Sequence, residues 1–112
     1  MKTAAALTAL SALSHESRLA AFRQLVQIGP AGLAVGELRE RLKLPAPTLT
    51  AHLNVLRAAH LVMDEREGRV IRIRANYEQM NDLLRYLTEN CCAGLPCGPA
   101  TPCQPTKRGS TK

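Results

Sequence analysis

The four residues Leu44-Pro45-Ala46-Pro47 constrain the fold more than any other part of the chain. Each proline pushes the residue before it out of the helical region, so a helix has to stop ahead of this segment. Pro47 suits the first turn of a new helix, where its missing N–H costs nothing. The apolar periodicity on either side agrees. Upstream, a helix over about 36–42 turns Leu38 and Leu42 inward and leaves Glu37, Arg39, Glu40 and Arg41 in solvent. Downstream, a helix over about 46–60 puts Leu49, Leu53 and Leu56 on one face. Its opposite face carries Thr48, Thr50, Ala51, Asn54 and Ala58, small or hydrogen-bonding residues that let a helix backbone come close to a groove. Two helices therefore meet at a tight corner.

Further elements flank this corner. Residues 4–13 read as an Ala/Leu helix with Leu7, Leu10 and Leu13 at helical spacing. Ser14 is the expected N-cap of a second helix from His15 to Ile28, striped by Leu19, Phe22, Leu25 and Val26 and broken by Gly29-Pro30-Ala31-Gly32. Beyond the corner, residues 61–66 and 69–74 are β-prone runs with Glu67-Gly68 as the expected turn. In the second run Val70 and Ile73 are assigned to a buried side and the arginines to a wet one. A last helix over about 77–89 carries Met80, Leu83, Leu84 and Leu87, with Met80 expected in the core. The order helix, turn, helix, basic hairpin predicts a mainly α fold with a β-hairpin wing (α+β), a winged helix-turn-helix. In that fold the second helix of the pair reads the major groove, and Arg66, Arg69, Arg72 and Arg74 can lie along phosphates.

Charge supports a nucleic-acid partner. The 112 residues hold 15 Lys+Arg against 9 Asp+Glu, a formal net charge of +6. Aromatics are only 3%, too few to stack on single-stranded bases, so duplex DNA is the expected partner. No apolar run approaches the roughly 20 residues of a membrane-spanning helix. No Ser/His/Asp or Cys/His constellation and no Gly-rich phosphate loop is present, so no enzyme is predicted. Composition changes at Asn90-Cys91: the segment from 91 to 112 has no acid, four prolines and all four cysteines. We therefore divide the chain into a DNA-binding and dimerisation domain, 1–90, and an expected flexible tail, 91–112, that builds no core. The Ala-rich start is a weak match to a signal peptide, and cysteines confined to a tail staple nothing, so a reducing cytoplasm is expected.

The segments Leu13-Ser14-His15-Glu16-Ser17-Arg18-Leu19, then Leu49-Thr50-Ala51-His52-Leu53-Asn54-Val55-Leu56-Arg57-Ala58-Ala59-His60-Leu61-Val62, then Arg66-Glu67-Gly68-Arg69 resemble the ArsR/SmtB metalloregulatory repressors. The resemblance spans about residues 7 to 92. It implies a homodimer that occupies double-stranded operator DNA and leaves it when an inducer binds, with the first and last helices at the subunit interface. By match of position it points Thr48, Thr50, Ala51 and His52 at DNA, with Arg66 and Arg69 in the wing; Asn54 and Arg57 complete our candidate set, and His52 either touches DNA or simply packs. Pro45 stands where the family usually has a capping Ser. The family's arsenic site in the helix before the turn needs a Cys-x-Cys type motif, and 36–42 has no Cys. Its zinc sites on the last helix use Asp and His, and here Asp82 has no His beside it.

Four thiols remain for the inducer. Cys91-Cys92 falls where the last helix ends, with Cys97 and Cys103 in the tail. Several thiolates without a nearby carboxylate or imidazole suit a soft, thiophilic ion. Arsenite or antimonite takes three sulfurs in a pyramid, which Cys91, Cys92 and Cys97 can supply, with Cys103 as substitute or fourth ligand. The ending Glu89-Asn90-Cys91-Cys92 also resembles arsenic-responsive members with a C-terminal site. Three competitors stand beside this: a thiol redox sensor of the same fold, an organoarsenical held by two thiols, and a soft-metal thiol protein that does not bind DNA. His15 and His60 are expected to cap or to sit on the surface without a clustered metal partner. Arg18 is expected to pair structurally within the dimer.

Overall fold

Leu49, Leu53 and Leu56 all point inward at 0–1% exposure, and the rest of the architecture is arranged around them. The computed structural model describes residues 1–94. In chain order it has α1 (Thr3–Leu13), α2 (Glu16–Ile28), β1 (Leu33–Ala34), α3 (Val35–Leu42), α4 (Ala46–Ala58), β2 (Val62–Glu67), β3 (Val70–Ala75) and α5 (Tyr77–Thr88), followed by a 3-10 turn, Cys91–Gly94. The antiparallel sheet runs β1-β3-β2. This is the winged helix-turn-helix expected from the corner and the basic hairpin. Cys97, Cys103 and the rest of the chain from residue 95 lie outside the described residues.

The corner forms as the prolines dictate. α3 closes on Lys43 in the left-handed region (φ +56°), and Pro45 then stands extended as the N-cap of α4. Pro45 supplies no side-chain cap, yet Leu49 N–H still donates to its carbonyl at 3.0 Å, so α4 starts at Ala46 without the capping Ser. α4 ends at Ala58, two residues before the expected end.

Several expectations change. The N-cap of α2 is His15, not Ser14: its Nδ1 accepts Ser17 N–H at 3.1 Å. Within α2 the buried stripe is Ala21, Phe22 and Leu25, while Leu19 is exposed at the rim of an apolar groove shared with α5. α1 buries Ala6, Ala9 and Ala12, the face that packs on α2 and α4, and leaves Leu7 and Leu10 outside. Met80 is half-buried at the core edge, whereas Leu83 is its buried neighbour and Leu84 and Leu87 are exposed.

The hairpin turns one residue later than expected. Glu67 pairs with Val70, so the two loop residues are Gly68, at φ +62°, and Arg69. Val70 is exposed rather than buried. It lies an odd number of residues from buried Ile73, and side chains alternate along a strand, so the two cannot share a face. β1 was not anticipated: two residues carry no readable alternation, and they become a strand only by pairing with β3, Leu33 opposite Ile73. Gly32 makes that approach possible. It sits at φ +72°, and a Cβ there would run into the Ile73 carbonyl.

Candidate nucleic-acid interface

Once its leucines are buried, α4 offers an outer face of Thr48, Thr50, Ala51 and Asn54, all exposed. Its only ionisable side chains are His52 and Arg57, so no carboxylate on the helix would repel a phosphate. Its first-turn amides lack a side-chain cap, which leaves donors at the positive end of the helix.

The other candidates on α4 are engaged within the protein. Arg57 is half-buried; its Nε meets Asp64 Oδ2 of β2 at 2.9 Å and its Nη1 donates to Asn54 Oδ1 at 2.9 Å. It therefore braces the wing strand against α4 and orients Asn54. His52 is half-buried and turned toward the start of α2, its ring centre 4.6 Å from that of His15. Burial, then the neighbouring His15 and the Arg18 charge, hold the His52 imidazole below its ordinary value of 6.5. The neutral form is thus favoured. Arg18 pairs within its own chain, Nε donating to the Ala12 carbonyl at 2.7 Å. Among the described residues no metal-binding group of three ligands forms around His15, but its ring meets that of His52. The pairing joins two remote segments, and no local spacing could have signalled it.

In the wing the arginines divide into two kinds. Arg74 pairs with Glu65 at 3.2 Å. Arg72 lies 3.9 Å from Glu67 and donates to the Ala31 and Gly32 carbonyls, both at 3.2 Å. Arg66 and Arg69 are exposed and make no ion pair among the described residues. These two were the wing candidates. Arg69 also borders an open groove, with Thr50 and Arg57, between the start of α3, α4 and the wing. A strand of phosphates laid there would meet Thr50 and Arg69 together.

The thiols lie at the far end of α5. Cys91 is half-buried and Cys92 exposed, in a turn where Asn90 and Cys92 adopt left-handed backbone (φ +57° and +56°). Among the described residues no third His, Cys, Asp or Glu gathers with them. Their donor set is sulfur alone, which fits a soft ion; the other two thiols, Cys97 and Cys103, fall outside the described residues. No helix among the described residues is long and apolar enough to cross a membrane.

Comparison with known proteins accords with this geometry. A helix-turn-helix domain family matches residues 13–65, the span from the end of α1 to the middle of β2. The structure resembles an ArsR-like transcriptional regulator from Rhodococcus sp. RHA1, with 33% identity, 75% of this chain and 76% of that one covered, and a TM-score of 0.67. It also resembles HlyU from Vibrio cholerae N16961, with 33% identity over 78% and 97% of the two chains and a TM-score of 0.62. Reduced HlyU from the same organism gives 32% identity over 76% and 90%, with a TM-score of 0.59. No match to a curated protein was found.

Proposed function

Because the chain belongs to the ArsR-like helix-turn-helix transcriptional regulators, we propose that it is a homodimeric cytoplasmic repressor induced by trivalent arsenic or antimony. Thr48, Thr50, Ala51 and Asn54 of α4 face operator DNA, with His52 turned back onto α2, Arg57 holding Asn54 in place and Arg66 and Arg69 on phosphates. Cys91 and Cys92 take the inducer with Cys97, and Cys103 serves as substitute or fourth ligand. The observation that carries this reading is the position of the vicinal thiols. They follow directly on α5, a helix whose outward Leu84 and Leu87 remain exposed in the single chain.

Exposed leucines on α1 and α5 suit a face covered by a second copy. Capture of a thiophilic ion deprotonates the thiols and orders the turn after α5. A tilt of α5 in the dimer then changes the separation of the two copies of α4. Both half-sites must be met about one helical turn apart, so a small change weakens operator affinity steeply.

A gel shift on the DNA upstream of the gene, with and without arsenite, tests this. Cys91→Ser is expected to keep DNA binding and lose release; release that persists in the variant removes the arsenic reading. The thiol redox alternative has one observation in its favour, a similar protein described in a reduced form. Release by peroxide in metal-free buffer, with no response to arsenite, selects it. Family membership gives no support to a thiol protein that ignores DNA.

A further inference from the structure

The start of α2 and the middle of α4 meet through two histidine rings, centred 4.6 Å apart and inclined at 46°. His15 is fixed there by its capping bond. Its Nδ1 accepts Ser17 N–H, and a nitrogen that accepts carries no proton. Arg18 stands beside the pair, its guanidinium anchored on the Ala12 carbonyl and its charge felt by His52.

Few other charges face this junction. α1, packed on both helices, has no ionisable side chain. α4 adds only Arg57, which is occupied by Asp64 of β2. α2 adds Glu16 and Arg23, both exposed, and neither acts on His52. The groups that do act on it are cationic or become so. This also makes the pair a poor seat for a metal cation, since Arg18 would repel it.

We infer that His15 and His52 form a proton-sensitive latch that ties α2 to the DNA-reading helix and opens when the pair becomes charged. Two effects of protonation act in the same direction. An imidazolium at His52 is half-buried beside Arg18 and the other ring. A proton on His15 Nδ1 turns an acceptor into a donor facing Ser17 N–H, so the cap of α2 is lost together with the ring contact. The fold favours neutral His52, so the unfolded chain takes up that proton first as pH falls. The latch therefore contributes its full stability above the ordinary value of 6.5 and loses it as pH drops below that.

The DNA arm of the test rests on the reading role proposed for α4; the unfolding arm does not. His15→Asn keeps an N-cap acceptor that does not titrate. Thermal unfolding and binding to the upstream duplex are measured for both proteins at about pH 8 and about pH 5, the two ends of the histidine range. On acidification the wild type is expected to lose at least about fivefold more affinity than His15→Asn, the lower end of ordinary coupling between sites. Its unfolding midpoint is expected to drop further as well. His60 is exposed and common to both proteins, so it cancels. His15→Asp, which offers a carboxylate to charged His52, is expected to hold its midpoint at the acid end. Equal falls in midpoint for wild type and His15→Asn overturn the latch. A wild type that binds no duplex at about pH 8 overturns the DNA-reading role instead, and the midpoints still decide the latch.

Discussion

Replacing Arg66 and Arg69 together by alanine should flatten the salt dependence of operator binding while leaving the fold intact. Both side chains are exposed and make no ion pair among the described residues, so their removal breaks no described internal contact. Surface changes of that kind stay within about 0.5 kcal/mol in stability. Each phosphate an arginine neutralises adds about −0.9 to the slope of log K against log salt, so two contacts account for about 1.8 per subunit and about 3.6 in a dimer. Between about 50 and 200 mM salt, a slope of 1.8 corresponds to roughly twelvefold in affinity. Arg74→Ala is the control, because that guanidinium is already held by Glu65 at 3.2 Å. Fluorescence anisotropy of a labelled upstream duplex across a salt series gives the slopes, and a thermal melt checks the fold. An unchanged slope in the double variant, or an equal loss in Arg74→Ala, would refute the assignment of phosphate contacts to the unpaired arginines.

Three further outcomes follow from the packing. Leu53→Ala empties a site that is 1% exposed on the inner face of α4 and is expected to cost about 2–5 kcal/mol, read by urea unfolding. Gly32→Ala forces a Cβ against the Ile73 carbonyl at positive φ; its cost is expected to be on the order of 1–3 kcal/mol, with β1 detached in amide exchange. Asn76→Ala removes the cap of α5, where Oδ1 accepts Gln79 N–H at 3.3 Å and Nδ2 donates to the His60 carbonyl at 2.9 Å. About 1 kcal/mol is expected there by the same urea measurement, and a fully stable variant would show that the cap is redundant.

Much of the interface is legible in the sequence. The prolines at 45 and 47 act on their own and the preceding backbone, so the α3–α4 corner is a local property. Leu49, Leu53 and Leu56 face inward because a helix repeats every 3.6 residues. The basic hairpin is legible as well, although strand pairing moves its turn one residue on and leaves Val70 exposed. What stayed hidden was which candidates are already occupied. Thr48, Thr50 and Ala51 remain outward, whereas Arg57 is spent on Asp64 and His52 on His15. Of the four wing arginines, two are held by glutamates and two make no ion pair among the described residues.

Sequence by itself determined where helices start and stop to within two residues, the inward face of α4, the excess of positive charge and the clustering of thiols after α5. Those properties depend on residues within one or two turns of each other, where sterics and periodicity act directly. Tertiary structure alone decided that α1 buries alanines and turns its leucines outward, that Leu33-Ala34 becomes a strand, and that two distant histidines share a contact beside Arg18. Each of these depends on the surface a segment meets when the chain closes on itself, and short-range patterns carry no information about that surface.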